Sequence, residues 1–506
     1  MMAQAIVRKR QVFRNAGTSI VRVVFCSGLL FVLYRYLIDT IGVQQLGVWS
    51  IVLATTTVTR LTGVGFSGSV VKFVAQYAAR DDMVTVTRLV QTAALSVAFV
   101  LGVVLIAAAP VLRWFIVRVV PEPSLLDAFS LLPYSLISLW LMTMGGICQD
   151  ALDGLQRVDL RNLLMIGSSA VYLLLTFALV PTYGLRGLAY GHIAQAAVLL
   201  IVSWCLLRRL LPTFPLIPYR WQRTLFGEMI RYGVNFQIVS LVGMLFDPMT
   251  KGLMSGFGGL AMVGYYELAS RMVSNARALL LAGNQVLVPV FADLQERTPE
   301  HVEHVYRASY RLLMYLVLPF YGSVMAAVPL ISILWLGDLQ TTFMIFAFLL
   351  TFGNGLNTMA GPAFFANLGT GRLRWNTVGY VIMGGLNGAL GFMLGEYCSG
   401  IGVSLAWVVA LVLGSAVIVL AYHMEHQISL RELFPSGNRW LLVASSAGML
   451  ASVVVSYYLY ERMSVTLLGV VGLSIFVGAI FFAVWSHPMR VTVMRWVEIS
   501  ILKADS

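Results

Sequence analysis

Apolar stretches about twenty residues long follow one another along almost the whole chain, starting near Thr18, Leu46, Val90, Ser130, Leu163, Leu188, Tyr232, Ala261, Leu312, Thr342, Thr377, Val403, Leu441 and Thr466. Each has roughly the length a helix needs to cross a bilayer core about 30 Å thick. Inside lipid every backbone N–H and C=O must be satisfied within the spanning element, so only helices and closed barrels can cross. A barrel would alternate polar and apolar residues over about 10 positions per strand, and these runs are apolar on every face. An all-α polytopic membrane protein with about 14 transmembrane helices is the fold class they predict. Composition removes the soluble alternative, since 59% of the 506 residues are hydrophobic and 11% charged.

The basic residues orient these spans. With the segment bearing Arg8, Lys9, Arg10 and Arg14 in the cytoplasm, every second connection carries most of the remaining positive charge, as at Arg157 and Arg161, Arg208 to Arg231, and Arg372 and Arg374. That is the bias of the positive-inside rule. It places both termini in the cytoplasm and accounts for the net charge of +12 by topology and contact with anionic lipid, without a nucleic-acid partner. The first apolar run lacks a small-residue cleavage site, so a removable signal is not expected. Cys26, Cys148, Cys205 and Cys398 show no ligand spacing, so neither a metal, a cofactor nor a disulfide framework is expected.

A weak repeat runs through the chain at an offset of about 213 to 217 residues. Gly47 and Trp49 match Gly264 and Tyr266, Arg60 matches Arg277, Leu160 and Arg161 match Leu373 and Arg374, and Gly184 matches Gly400. Four matches in order suggest a duplicated six-helix unit, with lobes over residues 1–225 and 226–436 related by a pseudo-twofold along the membrane normal. Residues 437–506 fall outside the repeat and read as an accessory helix pair and a tail. Duplicated transporters place their substrate between the repeats, commonly on interrupted helices. Two stretches, from Leu46 to Ala79 and from Ala261 to Leu294, are too long for one straight span and carry breakers: Gly63, Gly65 and Gly68 in one, Gly283, Asn284 and Pro289 in the other.

Five arginines lie inside apolar runs: Arg22, Arg35, Arg60, Arg271 and Arg277. A charge at bilayer depth costs about 2.5–3.5 kcal/mol on insertion scales, which makes such residues functional candidates by default. Arg35, near a helix end between Tyr34 and Tyr36, reads as an interfacial anchor. Arg22 is either a snorkelling residue or a ligand-facing one. Arg60 and Arg271 lie deeper and Arg277 is intermediate, so Arg271, Arg60, Arg277 and Arg22 form the candidate set for an anionic head group. Glu267 stands four residues before Arg271, a favourable helical pair, and Asp247 one turn before Lys251. Either carboxylate is a candidate for coupling to H+ or Na+, or serves only to neutralise its basic neighbour. Asn235, Gln237, Asn284, Asn354 and Asn357 offer amides to sugar hydroxyls or to packing.

The segments V-G-Y-Y-E-L-A-S-R at Val263 to Arg271 and V-L-V-P-V-F-A-D-L at Val286 to Leu294 resemble the polysaccharide flippases of the multidrug/oligosaccharidyl-lipid/polysaccharide exporter superfamily. So do Leu46 to Arg80, L-D-G-L-Q-R at Leu152 to Arg157, P-T-Y-G-L-R-G-L-A from Pro181, and L-W-L-G-D from Leu334. The resemblance covers about the first 430 residues and rests on mostly apolar motifs. It implies transfer of undecaprenyl-diphosphate-linked oligosaccharide to the outer leaflet of a bacterial inner membrane, for O-antigen, capsule or exopolysaccharide assembly, alongside polymerase or assembly proteins. In that family cationic cavity residues are thought to face the diphosphate. The role carries over best to Arg271, then to Arg60 and Arg22.

Three other readings remain. A lipid II-type flippase of the same superfamily would have a similar helix count. A multidrug or ion antiporter would favour buried carboxylates and aromatics over five arginines. A polysaccharide polymerase or ligase would need a sizeable outer loop, and the largest outer connection runs only from about Leu112 to Leu126.

Overall fold

The computed structural model describes residues 2–57, 61–211, 213–234, 237–284, 287, 291, 294–295, 298–433, 438–460 and 462–491. Among them the secondary structure is helical: α1 (Met2–Thr57), α2 (Leu61–Ala78), α3 (Met83–Val119), α4 (Leu125–Gly154), α5 (Val158–Tyr183), α6 (Leu185–Leu210), α7 (Arg223–Val234), α8 (Gln237–Asn284), α9 (Val302–Leu336), α10 (Thr341–Met359), α11 (Gly361–Gly369), α12 (Arg374–Glu425), α13 (Asn438–Leu459) and α14 (Val465–Ser486). Three of these are broken internally by non-helical backbone, α1 at Gly42, α8 at Gly259 and α12 at Ser399. The apolar stretches of the sequence lie on these helices and arms, but not one to one: the stretch from Leu46 to Ala79 is divided between the second arm of α1 and α2, and the one from Tyr232 begins in α7 and continues in α8. Ten helices among the described residues are long and apolar enough to cross a membrane. The all-α, multi-spanning class expected from the sequence is the one observed.

The breaks have local causes. Gly42 (φ 79°, ψ 164°) and Gly259 (φ 79°, ψ 173°) share one backbone conformation, which a side chain would strain. Five residues beyond each, Gly47 and Gly264 meet in a reciprocal crossing. A Cβ on Gly47 would lie 2.1 Å from the Leu260 carbonyl oxygen, and one on Gly264 would lie 2.2 Å from that of Val43. Helices in lipid gain little from burying apolar surface and associate through close packing, which favours small residues at such crossings. The pair that the sequence matched across the repeat is thus in direct backbone contact.

The chain forms two compact units, Met1–Gly264 and Tyr265–Ser506. In the first, α2, α3, α4 and α6 enclose a core that includes Val74, Leu89, Ala93, Val97, Cys148 and Leu207. The α3 helix starts on Asp82, whose side chain accepts the Thr85 backbone N–H at 2.9 Å. In the second unit, α13 and α14 pack on each other and on α9. Phe476 of α14 is fully buried, and a Cβ added at Gly322 of α9 would lie 2.8 Å from its ring. His487 Nε2 and Asn438 Oδ1, 2.5 Å apart, join the far ends of α13 and α14. The terminal pair is a packed part of its unit.

Candidate functional site

In the first unit the intramembrane cation Arg22 of α1 lies beside the α4–α5 turn. Its Nη1 is 3.8 Å from Met165 Sδ, and its Nε is buried without a hydrogen-bond partner. It sits in the field of both Arg161 and Asp153. The Arg161 Nη1 donates to Asp153 Oδ2, leaving Asp153 Oδ1 and Arg161 Nε buried and unpartnered. One carboxylate therefore faces two guanidinium groups. Asn162 ties this turn to α1, its Nδ2 donating to Thr18 Oγ1 at 3.1 Å and Ser19 Oγ at 2.9 Å. A second pair, Arg157 Nε with Asp159 Oδ1 at 3.3 Å, flanks the first. The five charged groups carry one excess positive charge, in a half-buried place where screening is weak.

Asp247 and Lys251 also belong to this unit, paired at 2.8 Å. The lysine is the buried member, its side chain 5% exposed against 49% for the aspartate. Arg60 lies outside the described residues.

In the second unit Arg271 Nε and Glu267 Oε1 are 2.6 Å apart, the helical pair expected from their spacing. Glu267 is 3% exposed and Arg271 45%. The buried carboxylate has its charge matched while part of the guanidinium stays accessible. Arg277 has a different environment. Its Nη2 donates to Asn357 Oδ1 at 2.5 Å, the Asn357 Nδ2 donates to Ser415 Oγ at 2.7 Å, and Arg277 Nε is buried without a partner. Tyr321 and Tyr380 lie within its field. Among the described residues the hydrogen bonds that position this guanidinium come from neutral groups, and its planar fork suits phosphate oxygens. Asn354 has spent its amide on its own helix, donating to Leu350 O at 2.8 Å. Asn235 lies outside the described residues.

Arg35 forms an exposed pair with Asp39 at 3.0 Å, an acid its sequence reading had left out. Of the two tyrosines beside it, Tyr34 is buried, and only Tyr36 reaches outward, donating to Phe177 O at 3.4 Å. Sequence reasoning also passed over Asp153, which stands eight residues before Arg161 across a tight turn. The signal was present in the L-D-G-L-Q-R segment. A further buried polar contact, Tyr306 Oη with His423 Nε2 at 2.8 Å, joins α9 to α12 and had no sequence counterpart.

Long apolar helices, charged residues within them and glycine crossings define a multi-spanning membrane protein. The fold matches an inward-facing multidrug-resistance transporter of the MATE family and MOP superfamily, with a TM-score of 0.68 at 15% identity, over 81% of this chain and 98% of that one. It matches the lipid II flippase MurJ in an inward closed conformation equally well, with a TM-score of 0.68 at 12% identity over 92% of this chain and 98% of that one. A mutant MATE transporter from Vibrio cholerae gives a TM-score of 0.62 at 14% identity over 84% and 98% of the two chains. No curated protein matches at a significant level. The pattern of the family described as "Polysaccharide biosynthesis protein" matches residues 40–339, and the chain belongs to that family. The solved neighbours, at 12–15% identity, share its fold.

Proposed function

We propose that the protein carries an undecaprenyl-diphosphate-linked oligosaccharide from the cytoplasmic to the outer leaflet of a bacterial inner membrane, for O-antigen, capsule or exopolysaccharide assembly. The lobes of residues 1–225 and 226–436 alternate access, and the lipid tail stays in the bilayer. Both termini lie in the cytoplasm. A polymerase or assembly protein consumes the delivered glycan.

The observation that carries this reading is Arg277, a cation in an apolar stretch of α8 whose hydrogen-bond partner among the described residues is a neutral amide. A charge inside an apolar run is costly, and an anionic ligand would offset that cost. Arg22, sharing Asp153 with Arg161, supports the same reading from the first unit. Arg271 contributes its accessible guanidinium and Arg60 belongs to the set by its repeat position. Glu267 and Asp247 are the groups through which H+ or Na+ coupling acts.

Deletion of the protein tests this. A lipid-linked oligosaccharide accumulating in the cytoplasmic leaflet is expected. Accumulation of lipid II points instead to a peptidoglycan-precursor flippase, and drug sensitivity with unchanged glycans points to an antiporter.

A further inference from the structure

Away from the arginines, the first unit contains a laterally open crevice of about 370 Å³ between α3, α4 and α6. Its walls include Leu95, Ala98, Trp140, Met144 and Cys205, and its roof is formed by Leu216 to Pro218 of the segment after α6. The volume lies within the range of about 300–1,000 Å³ common for small-molecule sites. Almost all of the lining is apolar.

The roof is fixed by hydrogen bonds. Gln91 Oε1 accepts the backbone N–H groups of Tyr219 at 3.3 Å and Arg220 at 3.2 Å, and Thr92 Oγ1 accepts that of Gln222 at 3.2 Å. Trp221 Nε1 donates to Ser96 Oγ at 2.9 Å, and Trp204 Nε1 to Pro215 O at 3.1 Å. On the floor Trp140 Nε1 donates to Ala98 O at 3.0 Å. The polar edges of all three tryptophans are spent on the frame, which leaves apolar ring surface to the crevice and the lipid around it.

The outside of the roof looks like a membrane interface. Leu216, Ile217, Tyr219 and Trp221 are exposed, next to the basic residues Arg208, Arg209, Arg220 and Arg223. Aromatic and basic residues together mark the headgroup level of a bilayer. On α3, Arg88, Gln91, Leu95 and Ala98 share one helical face, so Arg88 stands one turn beyond the glutamine that holds the Arg220 backbone. Arg88 Nε is buried without a hydrogen-bond partner. An apolar slot thus lies under the segment after α6, and beyond its roof stand Arg220, whose backbone Gln91 holds, and Arg88, which carries an unsatisfied donor.

We propose that this crevice holds one acyl chain of an anionic diacyl phospholipid, with the lipid phosphate against Arg88 and Arg220. The site is separate from the glycan path and independent of the transported substrate. The bound lipid wedges under the strap that follows α6 and steadies it.

Native mass spectrometry of the full-length protein, titrated with phosphatidylglycerol and phosphatidylcholine of identical chains, tests this. One phosphatidylglycerol should be retained, at least about tenfold over phosphatidylcholine, since each basic residue near a bilayer adds about 1 kcal/mol for an anionic lipid. Replacement of both cations, Arg88→Gln with Arg220→Gln, should abolish that preference, and Cys205→Trp should lower retention of both lipids by filling the mouth. In a Cys398→Ser background, phosphatidylglycerol vesicles should also slow maleimide labelling of Cys205 relative to phosphatidylcholine vesicles. That comparison decides the matter if the tryptophan variant does not fold. Equal retention of the two lipids, labelling indifferent to lipid, or a polyprenyl-linked species in place of phosphatidylglycerol would overturn the proposal.

Discussion

The turns that join α4 to α5 and α11 to α12 are built alike and furnished differently. In the first, the Arg157 N–H reaches Leu152 O at 2.8 Å past Gln156 (φ 59°); in the second, the Arg372 N–H reaches Asn367 O at 2.9 Å past Gly371 (φ 75°). Both are the six-to-one closure that ends a helix on a left-handed residue. Set in that register, Arg161 stands opposite Asn376. Arg161 pairs with a carboxylate, Asp153, whereas Asn376 accepts from the Asn367 amide at 3.0 Å and donates to Phe364 O. The backbone hydrogen bonds are the same in the two turns. The side chains differ, an ion pair of Arg161 with Asp153 in one turn and an amide pair of Asn376 with Asn367 in the other. In the second unit Arg277, on a different helix, is the guanidinium that an amide holds, donating to Asn357 Oδ1.

This contrast can be broken by substitution. The largest effect expected is on transport: Arg277→Ala should abolish surface glycan at unchanged protein level, and Asn357→Ala, which removes only the positioning amide, should reduce it less. Quantifying surface polysaccharide against immunoblotted protein checks both, and equal losses would show that the amide does more than position. Next in size, Asp153→Asn leaves Arg161 and Arg22 facing each other without a carboxylate. A loss of about 1–3 kcal/mol is expected for a partly buried pair, read as a lower midpoint of thermal unfolding in detergent. Asn367→Ala, in the turn with the amide pair, should cost about 1 kcal/mol, the net worth of an ordinary hydrogen bond. If Asn367→Ala costs as much as Asp153→Asn, the distinction between the two turns is lost.

Smaller effects follow where solvent or symmetry of charge weakens the interaction. Glu267→Gln should leave folding nearly unchanged, because Arg271 keeps an accessible side, yet remove any dependence of export on a pH gradient. Persisting dependence excludes Glu267 from coupling. Arg35→Gln removes an exposed pair with Asp39 and should shift stability by about 0–1 kcal/mol. The last concerns Asp82, whose carboxyl is held below the ordinary carboxylate range by its hydrogen bonds from Thr85. A group with a depressed native pKa stabilises above its unfolded pKa and loses that contribution as pH falls through the native value. Amide exchange at the start of α3 should therefore quicken only in the acidic range, and Asp82→Ala should make it fast at neutral pH.

The helical class was legible because a bilayer admits so few solutions, whereas the breaks were less so: the stretch read as one span from Leu46 to Ala79 is divided between α1 and α2. Gly47 and Gly264 were legible as a pair, though not as a contact, since a repeat is visible in sequence and a crossing is not. Register within the repeat was less so. Leu160 and Arg161 were matched to Leu373 and Arg374, whereas the turn hydrogen bonds set Arg161 against Asn376, and the backbone of Gly184 (φ 55°) is met at Ser399 (φ 55°), one residue before Gly400. Apolar sequence carries few markers, so a slip of one or two residues leaves no trace in composition. Partners were harder still. The spacing of Glu267 and Arg271 fixes their pairing on one helix, but the bond from Arg277 to Asn357 joins residues 80 apart, which no local pattern encodes.

The most direct measurement is the movement of a purified lipid-linked oligosaccharide across vesicles containing the reconstituted protein, comparing the native chain with Arg277→Gln and Arg277→Lys. The account predicts that the glutamine variant, folded and inserted, moves no substrate above empty vesicles, while the lysine variant keeps part of the rate because it retains the charge without the fork. Transport by Arg277→Gln at the native rate would contradict it.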